Sequence, residues 1–96
     1  MSDNKVDNKV KILYIEDNQY NLLLVKKILL ANGYEFYEAK TGFEGIDIAQ
    51  KIFPDLILMD INLPDLSGFD VTTKIRSIPS LNNVKIIAIT AEIGEG

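Results

Sequence analysis

The chain's 96 residues, 47% hydrophobic and 25% charged, suit one globular domain with a single core and leave no room for two. Ten basic against fourteen acidic residues give a formal charge of −4, which argues against a surface built to grip nucleic-acid phosphates. Without cysteine or histidine the chain has no disulfide, no thiolate or imidazole metal ligand and no phosphohistidine of its own, and no apolar stretch approaches the roughly 20 residues that cross a bilayer.

In chain order, residues 1–9 are polar and repeat Asp-Asn-Lys-Val (Asp3 to Val6, Asp7 to Val10), which reads as a flexible arm ahead of a domain over 10–96. The polar start Ser2-Asp3-Asn4-Lys5 lacks the apolar core of a signal peptide, so a cytoplasmic location is expected. Residues 10–15 form an apolar run that reads as a strand and ends in Glu16-Asp17. Apolar residues at Leu22, Val25, Ile28 and Leu29 predict a helix over 18–32, with Asp17 or Asn18 suited to cap it and Gly33 to stop it. The short, weakly alternating segment 35–39 suits an edge strand. Thr41 is placed to cap a second helix running to about Phe53, with Phe43, Ile46, Ala49, Ile52 and Phe53 on one side and Pro54 as its stop.

Residues 56–59 are continuously apolar, as expected of a strand buried on both faces of a parallel sheet, and they end abruptly in Asp60. A turn-rich segment with Asn62, Pro64 and Asp65 leads to Gly68, and a third helix is predicted through Val71, Ile75 and Ile78, closed by Pro79. A last apolar run, 84–89, ends in the hydroxyl of Thr90; Ala91 to Gly96 starts like a helix yet carries two late glycines and no further strand. That ending leaves the last strand with an open edge and an apolar face, so edge-to-edge association of two copies is a competing expectation.

Strands alternating with helices predict an α/β fold with a parallel sheet and right-handed crossovers. The most apolar runs, 12–15, 56–59 and 86–89, are expected at its centre, and 35–39 outside. Strands in such sheets present ligand sites past their carboxyl ends, so Glu16, Asp17, Asp60 and Thr90 should share one rim. At about 5 Å each carboxylate pair repels by ~3 kcal/mol at an effective dielectric near 20, so the cluster calls for a cation. A hard divalent ion fits, and Mg²⁺ fits best, because it takes one or two carboxylates and keeps waters and phosphate oxygens. With the cluster neutralised, one carboxylate can act as nucleophile toward a phosphoryl group. Asp60, alone and central, is the candidate; Glu16 and Asp17 come as a pair suited to the metal, and Thr90 can donate to a phosphoryl oxygen.

Each residue also has a plainer reading. Asp60 alone could cap the following turn, Thr90 could be an ordinary β-branched strand residue, and Asp65 reads as a turn residue. Lys26, Lys27 and Leu30 suit either a solvated helix face or a docking surface. An aspartate-nucleophile phosphohydrolase would want a second acid at position 62, where Asn62 cannot serve as general acid.

Taken together, Glu16-Asp17 after the first strand, Asp60 after the third, Pro64 and Gly68 at fixed offsets from it, and Thr90-Ala91 after the fourth resemble the receiver domain of two-component response regulators. The likeness runs to about residue 91, and the opening Tyr14 to Asn21 looks like receivers that stand alone or belong to hybrid-kinase phosphorelays. It implies a flavodoxin-like doubly wound sheet in the order 2-1-3-4. It also implies that Asp60 accepts a phosphoryl group from a histidine kinase or histidine phosphotransfer protein. Asp17, Asp60 and the backbone carbonyl of Asn62 would bind Mg²⁺, and Glu16 would act through the ion's water shell. Thr90 would move toward the phosphoryl oxygens as a switch, making the chain a signalling module and at most a catalyst of its own phosphorylation and dephosphorylation. Family members continue with a fourth helix, a fifth strand ending in Lys-Pro and a fifth helix, none of which has a counterpart here. The expectation is therefore a truncated receiver, impaired by the truncation, with no direct binding to nucleic acid or membrane.

Overall fold

The computed structural model describes residues 9–89, so the expected arm over 1–9 lies outside it except for Lys9, and Thr90 lies outside it as well. Four parallel strands, β1 (Lys11–Ile15), β2 (Glu35–Ala39), β3 (Leu56–Asp60) and β4 (Lys85–Ile89), form one sheet in the order β2-β1-β3-β4. Helices α1 (Gln19–Ala31), α2 (Gly42–Ile52) and α3 (Gly68–Arg76) connect them, and a single 3-10 turn at Pro79–Leu81 precedes β4. The order 2-1-3-4 is the one the sequence led to expect. No helix among the described residues is long and apolar enough to cross a membrane.

The first crossover steps one way along the sheet and the next two step the other way, so right-handed connections put α1 on one face and α2 and α3 on the other. The core lies on the α2–α3 face. Leu13, Ile15, Ile57 and Met59 from the central strands meet Ala49, Val71, Ile75 and Leu81, all buried. On the opposite face Ile12 and Tyr14 are buried, while α1 contributes one fully buried residue, Leu22.

Of the four apolar residues whose spacing predicts α1, Ile28 is 51% exposed, because it sits about 90° round the axis from the line of Leu22, Val25 and Leu29. Two expectations are corrected here. Phe43 and Phe53 are also exposed; the inward face of α2 is made by Gly42, Gly45 and Ala49 instead. Those small residues let α2 ride close to its neighbours. A Cβ on Gly42 would come within 2.8 Å of Val71 Cγ2, and one on Gly45 would collide with the side chain of Ile15. Finally, β4 is an edge strand among the described residues, not a central one. Its outer edge has no ladder partner there, and Ile87 is 47% exposed, which is the feature the self-association expectation needs. Between α3 and β4 lies a cavity of about 330 Å³ lined by Met59, Phe69, Thr72, Ile86 and Ala88 among others.

Helix α2 ends at Phe53, which has φ 52°, in the left-handed region, and donates its N–H to the Ala49 carbonyl. A branched or aromatic residue pays a steric penalty there that asparagine largely escapes, and Phe53 has little packing to lose. Phe53→Asn is expected to raise stability by about 0.5 kcal/mol in denaturant unfolding; a loss of stability would show that the exposed ring contributes more than its backbone costs.

Candidate functional site

Registry brings the acids together. Ile12 pairs with Leu56 and Tyr14 with Leu58, so the next pair outward on the same face is Glu16 with Asp60. Glu16 is held at that height because its N–H donates to the Ala39 carbonyl at 2.8 Å, continuing the β1–β2 ladder one residue beyond β1. Asp60 closes β3 and pairs with Ile89 of β4. Position 90 is the next residue, but the expected role of Thr90 lies outside the described residues. Asp17 then turns away from the strand, and Asn18 caps α1, its Oδ1 accepting from the Asn21 N–H at 3.0 Å.

Carboxylate oxygens of Glu16, Asp17 and Asp60 lie within 4.8 Å of one another. Glu16 and Asp60 are buried, at 2% and 8% exposure, whereas Asp17 is exposed. Among the described residues no basic side chain pairs with any of them; the one ion pair there, Lys51 with Asp47, lies on the surface of α2. Three carboxylates drawn this close without a counter-charge repel, and burial of two of them makes the repulsion harder to screen.

Glu16 is tethered at both oxygens. Its Oε1 accepts from the Tyr14 hydroxyl at 3.1 Å and its Oε2 from the Asn18 N–H at 3.0 Å. Burial pushes the Tyr14 phenol well above its ordinary value, and the negative charges of Glu16 and Asp60 push it further, so Tyr14 remains a neutral donor. Asp60 is held more lightly: Oδ1 accepts from the Asn62 N–H at 3.1 Å, and among the described residues no donor reaches Oδ2. The expected metal-ligating backbone of Asn62 is thereby set against Asp60.

The β3–α3 loop that carries Asn62 is closed at its base. Asn62 bridges to Ser67, and the Gly68 N–H donates to the Ile61 carbonyl at 2.9 Å. Gly68 suits this close approach, since a Cβ would come within 3.1 Å of Ile61 Cα, in the backbone leaving β3. Ser67 caps α3 by accepting from the Asp70 N–H at 3.1 Å. At the tip, Asp65 accepts from the amides of Gly42 and Phe43 at 2.7 and 2.9 Å. Desolvation opposes its charged form, but the Phe43 and Gly42 amides, helped by those of Asp65 and Leu66, outweigh it and hold the carboxyl below its ordinary value of 3.8. A depressed carboxyl stabilises above its unfolded value, so these bonds persist at neutral pH and are lost only as pH falls through the lowered value.

Two of these residues were missed in the sequence. Tyr14 had a usable signal, since alternation along a strand puts it on the face of Glu16 two residues on. Asp65 had none beyond its turn setting, because its partners lie 23 and 22 residues back along the chain.

An oxygen-only donor set of three carboxylates and a nearby backbone suits a hard divalent cation and excludes soft-metal chemistry. Known proteins are similar to this chain in sequence and fold. Residues 12–95 match the response regulator receiver domain family. The polar-differentiation response regulators DivK of Brucella ovis and Brucella anthropi are each 40% identical over 80 residues, 83% of this chain. The chain spans 65% of the length of those curated relatives. Among solved structures, the chemotaxis response regulator CheY4 of Vibrio cholerae superposes with a TM-score of 0.85 at 29% identity, covering 91% of this chain and 72% of that one. The receiver domain of a sensor histidine kinase from Pseudomonas aeruginosa, solved with a magnesium ion coordinated in its active-site cleft, gives 0.83 at 34% identity over 88% of this chain and 69% of that one. Receiver domains are signalling modules rather than enzymes of the usual kind. With the sheet order, the acidic rim and a family match across 12–95 in agreement, the chain belongs to the response regulator receiver domains.

Proposed function

We propose that Asp60 is the phosphoacceptor of a two-component signalling switch and that Glu16, Asp17, Asp60 and the Asn62 carbonyl hold Mg²⁺. The observation that carries this reading is the buried Asp60 carboxylate, whose Oδ1 is engaged by Asn62 while Oδ2 has no donor among the described residues. Oδ2 is therefore the nucleophile. It forms a bond to phosphorus as the phosphorus–nitrogen bond to a partner's phosphohistidine breaks, and the electron pair leaves with the imidazole nitrogen. Bound Mg²⁺ supplies charge neutralisation at the carboxylates and the phosphoryl oxygens. Asp17 and Asp60 would supply oxygens to the ion directly, and Glu16, fixed by Tyr14 and Asn18, would act through its waters. Thr90, one residue past the Asp60–Ile89 pair, donates a hydrogen bond to the phosphoryl group and starts the switch.

The donor is a histidine kinase or a histidine phosphotransfer protein in the cytoplasm. Support for docking along α1 comes from its outward side, where Tyr20, Leu23, Leu24 and Leu30 are exposed beside Lys26 and Lys27. The test uses magnesium and beryllofluoride, a phosphoryl mimic, on the 96-residue chain. Calorimetry should register Mg²⁺ uptake, and beryllofluoride should shift the amide resonances of Asp60, Asn62 and Ile89. Absence of both responses would overturn the proposal.

A further inference from the structure

Helix α2 does not need Asp65 to begin. Thr41 Oγ1 accepts from the Glu44 N–H at 3.0 Å and Glu44 Oε1 accepts from the N–H of Lys40, the residue before the cap, at 2.8 Å, so the helix start is capped from its own local sequence. Asp65 adds two bonds from a different element, one per carboxylate oxygen, to the amides of Gly42 and Phe43. Their value is geometric as much as energetic. A loop closed at its base by the Asn62–Ser67 bridge and the Gly68–Ile61 bond still has a free tip, and Asp65 fastens that tip to a helix packed close against Ile15 and Val71. Asn62, whose N–H meets Asp60 Oδ1, is itself one side of that base, on the stretch of loop that runs from β3 up to Asp65.

We propose that Asp65 is a positioning residue of the phosphoacceptor site: by tying the β3–α3 loop to the start of α2 it fixes the backbone of Asn62 against Asp60. Its consequence for metal binding rests on the function proposed above; its consequence for the loop does not. Residues that orient metal ligands without touching the metal are worth about ten- to a hundredfold in affinity.

The test compares Asp65→Ala, Asp65→Asn and Thr41→Ala in the 96-residue chain. Thr41→Ala removes a cap from the same helix but leaves the loop's tie in place. Amide hydrogen exchange is read at Asn62 and Gly68, normalised to Leu13 and Ile57 in the core, and the Mg²⁺ dissociation constant is read by calorimetry. Asp65→Ala should speed normalised exchange at Asn62 and Gly68 and weaken Mg²⁺ binding by about tenfold. Asp65→Asn, which keeps one acceptor oxygen, should fall between it and the parent. Thr41→Ala should lower the melting temperature and move neither readout. If Asp65→Ala merely melts earlier, with normalised exchange and Mg²⁺ affinity unchanged, Asp65 is only a helix cap and the inference is overturned. Should the parent itself take up no Mg²⁺, the proposed function loses its metal, and the exchange comparison alone decides the role of Asp65.

Discussion

Asp60→Asn is expected to abolish phosphoryl uptake and, in the absence of metal, to leave the fold more stable than the parent. Asparagine has the same shape and retains an acceptor for the Asn62 N–H, so the loop keeps its closure. What disappears is the anionic oxygen proposed as the nucleophile, and with it one of three carboxylates gathered within 4.8 Å. Relief of that repulsion is worth about 1–3 kcal/mol at an effective dielectric near 20, with the exposed Asp17 contributing least. For a domain of this size such a gain corresponds to a melting temperature higher by roughly 5–15 °C. Mg²⁺ should then stabilise the variant far less than the parent. Labelling with a small acyl phosphate donor and a melting curve with and without Mg²⁺ check both halves. Labelling at the parental level would remove Asp60 from its assigned role, and a lower metal-free melting temperature would mean the cluster is neutralised by something other than a bound cation.

Leu13→Ala is expected to cost the most stability. Leu13 is fully buried on β1, flanked in register by Tyr37 of β2 and Ile57 of β3, and it faces the helices that form the core. Truncation removes its transfer energy and leaves a void that a sheet with neighbours on both sides cannot collapse, together about 2–5 kcal/mol. A domain of this size has roughly 5–15 kcal/mol in total, so the variant should unfold at far lower denaturant or fail to accumulate. Ile87→Ala on β4 makes the same chemical kind of change where the side chain is 47% exposed and should cost about 1 kcal/mol or less. Equal losses for the two would contradict the position of the core.

Much of this was legible before any coordinates. The strands and helices fall within a residue or two of their expected limits because the apolar periodicity changes cleanly from element to element and Thr41, Gly33, Pro54 and Pro79 mark their ends. Glu16, Asp17 and Asp60 could be brought together because parallel strands align their carboxyl ends. What periodicity could not show was which apolar residues face inward on a helix whose contact side is made of glycine and alanine. Phe43 and Phe53 drew the stripe to the wrong side of α2, since size rather than hydrophobicity decides how near that helix sits. The contact from Asp65 to α2 was hidden for another reason: it depends on two loops meeting in space, and no local pattern encodes that distance.

The close seat of α2 has a mechanical corollary. A helix seated this close to Ile15 and Val71 through Gly45 and Gly42 has less room to slide or roll than one held off by larger side chains, and it is the helix whose first amides Asp65 meets. A charge added at Asp60, as proposed, would meet a stiffer flank on that side than on the other, where β4 leaves Ile87 and Ala88 exposed beside a cavity. The distribution of the molecule's smallest side chains thus makes one flank of the sheet more tightly packed than the other.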